Sequence, residues 1–204
     1  MRPDKITPAK AAATVPADAL KRFATEIFAR AGMSDGHAAI VADALVWANL
    51  RGVDTHGVTR IPRYVELIEV GDMNPKPSMS IRVDTPASVL IEADRAAGPV
   101  AMTWGVSEAV RKARDAGIGA AFVRGTTHTA ALGYYTLAAA EQGMAAIAVS
   151  AYWPNMAYHG ARRETRNACS RNLTARHFQK LNFPKAAFLF SAKQTNQRSL
   201  PIEL

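Results

Sequence analysis

Cysteine is almost absent from this chain: Cys169 is the only one in 204 residues. One thiol cannot close an intramolecular disulfide or build a cysteine-based metal site, so a reducing, cytoplasmic setting is expected. Long apolar runs are missing as well. No stretch reaches the roughly eighteen apolar residues that a membrane helix needs, and Met1 to Thr14 mixes basic residues with alanines and has no unbroken apolar segment. Neither a membrane span nor an export signal is expected. Metal-ligand spacing is lacking too, so no metal site is expected. A glycine fingerprint for dinucleotide phosphates is also missing. Gly117-Ile118-Gly119 comes nearest, but Phe122 holds the third position and the glycines precede a strand instead of following one.

Acidic residues are scarce at one end only. Residues 1–161 carry 16 Lys and Arg against 15 Asp and Glu, a net of +1, whereas residues 162–204 carry 9 against 2, a net of +7. The formal charge of +8 therefore belongs almost wholly to the C-terminal segment. Its arginines show neither a periodic face nor interleaved aromatics, so a solvated, disordered tail is expected there and nucleic-acid binding is not. The body is nearly neutral. With 49% hydrophobic residues, the chain can bury one good-sized core or fill one and a half ordinary domains.

Hydrophobic spacing then divides the body. Leu20, Phe23, Ile27 and Phe28 predict a helix over 17–31 that stops at Gly32, and Ser34 and Asp35 can cap a second helix running to Gly52. A third, from about Pro62 to Val70, has proline in its first turn. Met73 to Ser78 reads as a loop and a possible domain boundary. Beyond it, Ser88 to Glu92, Ile118 to Arg124 and Ala145 to Ala151 read as strands, alternating with helices over 98–116 and 130–142. Such alternation indicates an α/β domain. The expected organisation is a leader (1–14), an N-terminal helical region (15–78), a partial α/β domain (79–161) and the basic tail (162–204). No element is evident for Phe183, Phe188, Leu189 and Phe190 in that tail.

Two segments combine residues suited to chemistry. Between the second and third helices lies Arg51-Gly52-Val53-Asp54-Thr55-His56-Gly57-Val58-Thr59-Arg60. A histidine can give or take a proton near neutrality, an adjacent hydroxyl can orient its ring, and an arginine fork matches a carboxylate. Residue types alone favour the plainer alternative of a loop histidine beside a solvated arginine, since both are common on loops. The second segment, Thr126-Thr127-His128-Thr129, sits between a strand and a helix, where backbone N–H groups suit an anion. Helix capping by Thr127 or Thr129, with His128 incidental, explains it equally well.

Taken together, Val41-Ala42-Asp43, the run from Arg51 to Tyr64, and the stretch from His128 through Gly133-Tyr134-Tyr135 to Glu141-Gln142-Gly143-Met144 resemble the type-2 malate/L-lactate dehydrogenase family. The likeness covers about residues 15–161. This family also includes ureidoglycolate and sulfolactate dehydrogenases and the piperideine and pyrroline carboxylate reductases. The resemblance implies hydride transfer between NAD or NADP and the carbon beside a carboxylate. It further implies an α/β fold with a mixed or antiparallel sheet that is not of the Rossmann type, and a homodimer. Position by position, it makes His56 the proton donor and acceptor, Thr55 the hydroxyl that is usually serine, and Arg60 the holder of the substrate carboxylate. Tyr64 falls to the substrate as well, His128 to both substrate and nicotinamide, and Thr129 and Gly133 to the cofactor. From about Glu164 onward the sequence departs from the family pattern, and a chain truncated or frameshifted after about residue 163, with an incomplete fold, is the expectation. An inactive remnant is the alternative function, and a basic nucleic-acid-binding protein a lesser one.

Overall fold

A computed structural model describes residues 14–152 together with the strands Ala168–Leu173 and Ala186–Lys193. The chain begins with a helical hairpin, α1 (Ala17–Arg30) and α2 (Asp35–Asn49). Between them Gly32 takes φ +100°, a left-handed conformation open to glycine at no steric cost, and Met33 N–H donates back to Phe28 O at 3.1 Å. Ser34 caps α2 by accepting from His37 N–H. Two 3-10 turns, Asp54–His56 and Val58–Arg60, lead into α3 (Ile61–Glu69). The apolar faces of these helices close over one core that includes Phe28, Val41, Leu45, Tyr64 and Met73. Burying side chains of this size stabilises the fold by about 1.5–3 kcal/mol each.

The rest is a sheet backed by helices. Its elements are β1 (Ser80–Asp84), β2 (Ser88–Glu92), α4 (Gly98–Ala116), β3 (Ile118–Thr126), α5 (Gly133–Ala140), β4 (Ala145–Tyr152), β5 (Ala168–Leu173) and β6 (Ala186–Lys193). The strand order is β1-β2-β3-β6-β4-β5. The four inner strands β2, β3, β6 and β4 run parallel, and the outer strands β1 and β5 are antiparallel to their neighbours. The expected α/β class with a mixed sheet is therefore found. The turn entering α4 differs from a Rossmann phosphate loop: Asp94 and Arg95, not a glycine series, occupy positive φ there (49° and 57°).

α4 lies close against β3 because Gly119 has no side chain; a Cβ there would collide with the carbonyl of Ala109. Beneath α4 and α5 a second core gathers Val89, Ile91, Met102, Val110, Val123 and Tyr135. One buried ammonium, Lys112, is compensated by Asp84 Oδ1 at 2.5 Å and by the carbonyl of Thr85, which ties α4 to the end of β1. Ala97 and Val100 of the α4 entrance join the helical core. Met79 packs on both cores, so α4 and its entry loop bridge the two regions.

Most elements lie where the periodicity put them; the strand at Ser88–Glu92 and the helix at Gly98–Ala116 match residue for residue. The structure corrects three readings. β1 was not foreseen, because its outer residues are exposed and it has no buried face to impose a pattern. The helix expected from Ala130 starts three residues later, because Ala130 itself sits at φ +53° in a turn. Finally, the basic segment supplies two strands, and β6, which contains Phe188, Leu189 and Phe190, lies in the middle of the sheet.

Candidate active site

His56 is held by its own loop. The 3-10 geometry is closed by His56 N–H to Val53 O (2.9 Å) and Gly57 N–H to Asp54 O (3.0 Å). Thr59 Oγ1 donates to Asp54 O at 2.7 Å. From the end of α2, Asn49 reaches into the same loop: its Nδ2 donates to Asp54 Oδ1 (2.5 Å) and its Oδ1 accepts from Val58 N–H (2.8 Å). Asn49 was not foreseen from its residue type or spacing. Its only trace was an Asn at the end of a helix, and nothing in the spacing ties that position to a loop several residues on.

Thr55 Oγ1 stands 3.0 Å from His56 Nδ1, within hydrogen-bond distance of the ring. In the tautomer whose Nδ1 carries the proton, that nitrogen donates to the Thr55 hydroxyl, and Nε2 keeps a lone pair that can take a proton. His56 is half-buried, and its pKa is lowered, first by the loss of hydration and then by the positive charge of Arg60. The imidazole is therefore biased toward its neutral form. Arg60 Nε donates to Thr55 O at 2.5 Å, which ties the guanidinium to the histidine's own loop. A guanidinium of this kind matches a carboxylate in two parallel hydrogen bonds.

His128 comes from the far region, on the loop after β3. The rings of His56 and His128 stack with centroids 5.4 Å apart and 27° between planes. The two segments singled out in the sequence, 72 positions apart, therefore meet in one place. The His128 loop is fixed from three directions. Thr126 and Thr127 hydroxyls both donate to Ala96 O at 3.1 Å. Gly98 at the start of α4 leaves room for it, since a Cβ would strike the carbonyl of His128. Ala130, in its left-handed turn, donates its N–H to His128 Nδ1 at 3.2 Å, which makes Nδ1 an acceptor and puts the proton of the neutral ring on Nε2.

Tyr64 was expected to touch the substrate, and the structure gives it different surroundings. It is fully buried, its hydroxyl lies 2.9 Å from His128 Nδ1, and it donates to the carbonyl of His128 at 3.0 Å. With no exposed surface it supports His128 from behind. Thr129 is similarly enclosed at 8% exposure, and its carbonyl accepts from Tyr135 at 2.6 Å. Gly133 faces the ring of Trp47, where an added Cβ would come within 3.1 Å. The surface around the histidine pair is thus offered by His56, Thr55 and Arg60, with His128 half-buried beside them.

The sequence profile of the malate/L-lactate dehydrogenase family matches residues 15–166. The chain belongs to this family. Among its curated relatives is a malate dehydrogenase of Pyrococcus horikoshii, 39% identical over 146 residues, which are 72% of this chain and 41% of that protein. Another is an L-sulfolactate dehydrogenase of Methanocaldococcus jannaschii, 31% identical over 144 residues, 71% of this chain and 42% of that one. The solved Pyrococcus enzyme superposes with a TM-score of 0.70 at 38% identity, over 73% of this chain and 43% of its own. A solved delta1-piperideine-2-carboxylate reductase from Pseudomonas syringae superposes with a TM-score of 0.68 at 28% identity, covering 76% and 46%. The chain thus spans about two fifths of the length of the curated relatives it matches. Among the described residues, no helix is long and apolar enough to cross a membrane, and no group of three or more His, Cys, Asp or Glu could hold a metal ion.

Proposed function

We propose that this chain carries the proton-transfer half of a nicotinamide-dependent dehydrogenase acting on small 2-hydroxy and 2-oxo acids, malate or lactate in type. One observation carries the reading: a neutral-biased His56 whose Nδ1 lies 3.0 Å from the Thr55 hydroxyl, with the Arg60 guanidinium held on the same loop. The donor set suits the ligand pair. An imidazole and a guanidinium on one loop are what a hydroxy acid needs, the first for its hydroxyl proton and the second for its carboxylate. NAD or NADP would lie against the His128 loop and supply the hydride acceptor or donor. For oxidation, His56 Nε2 accepts the hydroxyl proton while Thr55 holds the ring in the tautomer that frees that lone pair. Arg60 fixes the carboxylate and so the face of the substrate. Tyr64 and Ala130 act through His128, keeping its ring parallel to that of His56.

The experiment is a titration of the purified 204-residue chain with NADH and NADPH, followed by Trp fluorescence and thermal shift. Turnover assays with 2-oxo acids come next. Saturable binding that raises the melting temperature is expected. His56→Ala should abolish turnover and leave cofactor affinity within about threefold, while Arg60→Ala should mainly raise KM for the acid. Equal loss of cofactor affinity in both variants would contradict these roles. A second reading is a chain that retains the fold and the histidine pair without turnover. Cooperative melting with no response to either cofactor would select it.

A further inference from the structure

We propose that Asn49 is the residue that positions His56, and that its single carboxamide sets where Nε2 points. The inference rests on the proton-transfer role proposed for His56. It comes from three observations on the same side chain. Asn49 Oδ1 accepts from Val58 N–H at 2.8 Å, and Nδ2 donates to Asp54 Oδ1 at 2.5 Å. These two anchors lie two residues before and two residues after His56, so one planar group grips both flanks of the histidine. A backbone N–H can only donate, so the atom facing Val58 must be the oxygen, and the amide orientation follows without ambiguity. The third observation is steric: Gly57 is buried against the Asn49 carboxamide, and a Cβ at Gly57 would collide with it. The loop has therefore closed down onto Asn49 as far as a glycine allows.

No other side chain fits this place. Aspartate at position 49 keeps the acceptor for Val58 and loses the donor for Asp54, setting two carboxylates against each other. Alanine loses both bonds, and glutamine is one methylene too long for a space that already excludes a methyl group. The clamp acts from α2, whose flank is buried in the helical core through Val41, Ala42 and Leu45. It thus transmits the rigidity of that core to a loop whose own residues 51–55 are exposed. A base must sit within hydrogen-bond reach of the proton it takes, and displacements near 1 Å are enough to cost about 100-fold in rate. Asn49 touches neither substrate nor cofactor in this scheme; its effect passes wholly through His56.

The test compares the full chain with Asn49→Ala, Asn49→Asp and the exchange Asn49→Asp/Asp54→Asn, which reverses donor and acceptor across the same contact. Two readouts are taken: turnover with NADH and a 2-oxo acid, and the NMR titration of the His56 ring, assigned by its loss in His56→Gln. The groups facing that ring are Arg60, Thr55 and His128, and none of them is altered. Asn49→Ala and Asn49→Asp should lower kcat about tenfold or more with KM for NADH within about threefold. Both should also move the His56 titration toward the ordinary histidine value as the ring loosens into water. The exchange variant should recover both. The proposal is overturned if Asn49→Ala leaves kcat and the titration unchanged within twofold, or if the exchange variant is no better than Asn49→Asp. If the Asn49 variants do not melt cooperatively, Gly57→Ala takes their place, because it presses on the clamp from the other side. A folded Gly57→Ala protein with an unaltered His56 titration also overturns it. Absence of turnover in the unmodified chain would sink the dehydrogenase reading instead, and the titration alone would then decide for or against Asn49.

Discussion

Two causes acting in the same direction hold His56 below the ordinary histidine pKa of 6.5: burial first, then the neighbouring Arg60. For a histidine lowered in this way, the unfolded chain binds more protons than the folded one between the two pKa values. Stability therefore rises with pH through that window, is complete above about 6.5, and carries its full penalty below the folded pKa. The chemistry follows the same proton. Hydroxy-acid oxidation needs the neutral ring, so its rate should fall in acid with a midpoint below 6.5, while 2-oxo acid reduction needs the imidazolium and should rise there. Arg60→Ala removes the second cause, and the midpoint should move up toward 6.5. pH–rate profiles in both directions for the unmodified and Arg60→Ala chains check this, and an unmoved midpoint would contradict the charge effect. At this scale the sequence showed a good deal. His56, Thr55, Arg60 and His128 lay in the two segments singled out, and their roles came from the family resemblance, because residue types alone fit a plain loop or a helix cap as well. Asn49 did not, and Tyr64 was named only through the resemblance and for the substrate; what matters in both is direction, since one reaches back into a loop and the other turns inward, and neither orientation leaves a periodic trace.

Three helices meet at Asp43. Tyr134 Oη of α5 donates to its Oδ2 and Lys21 Nζ of α1 pairs with its Oδ1, each at 2.5 Å. Burial alone would raise the Asp43 pKa, yet the bonds from Lys21 and Tyr134 outweigh it and hold the carboxyl below its usual range. Tyr134, packed edge-on against Trp47, is pushed well above the usual phenol value by burial and then by this bond. The cluster secures α5, and with it the loop that carries His128, onto the helical hairpin. Removing the hydroxyl in Tyr134→Phe should cost about 1.5 kcal/mol, as for other bonds to a charged group. The more exposed Lys21→Met should cost about 0.5 kcal/mol, since solvent screens that pair. A lowered carboxylate stabilises above its unfolded pKa and stops doing so as pH falls through the folded one. Both losses should therefore be present at pH 7 and shrink in acid below the usual carboxylate range, as read by denaturant titrations at both pH values. A Tyr134→Phe cost that is the same at pH 3 and pH 7 would mean that the ring packing, not the carboxylate, holds α5. Neither Asp43 nor Tyr134 could be paired from the sequence, because their partnership spans 91 positions and belongs to tertiary packing alone.

On the scale of the whole molecule, the sheet is joined in an order unlike the chain's. β3 and β4 are consecutive strands, yet they do not pair with each other; β6, the last strand, lies between them and runs parallel to both. Periodicity could not reveal this. The segment around β6 is a short apolar run in basic, polar surroundings, and its value lies in two neighbours far away in sequence. The N-terminal helices, by contrast, each bury a stripe that repeats every three or four residues, so they were legible at once. The order has a consequence for stability. α5 and β4 belong to the same core as β2 and β3, but in the sheet β4 is joined to β3 only through β6. Leu189 sits in mid-strand, in register with Ala121 on one side and Ala148 on the other. Proline there removes a ladder N–H, and within sheets proline is confined to edge strands, first positions and bulges. Leu189→Pro should therefore weaken the whole chain, lowering the melting temperature and loosening the His128 loop that precedes α5. The same substitution in a disordered tail would cost nothing. Thermal melts of the two proteins, with hydrogen exchange over residues 118–152, separate these cases. Equal melting temperatures and equal protection of β3 and β4 would remove β6 from the sheet, whereas faster exchange in both strands together would establish it as the piece that joins them.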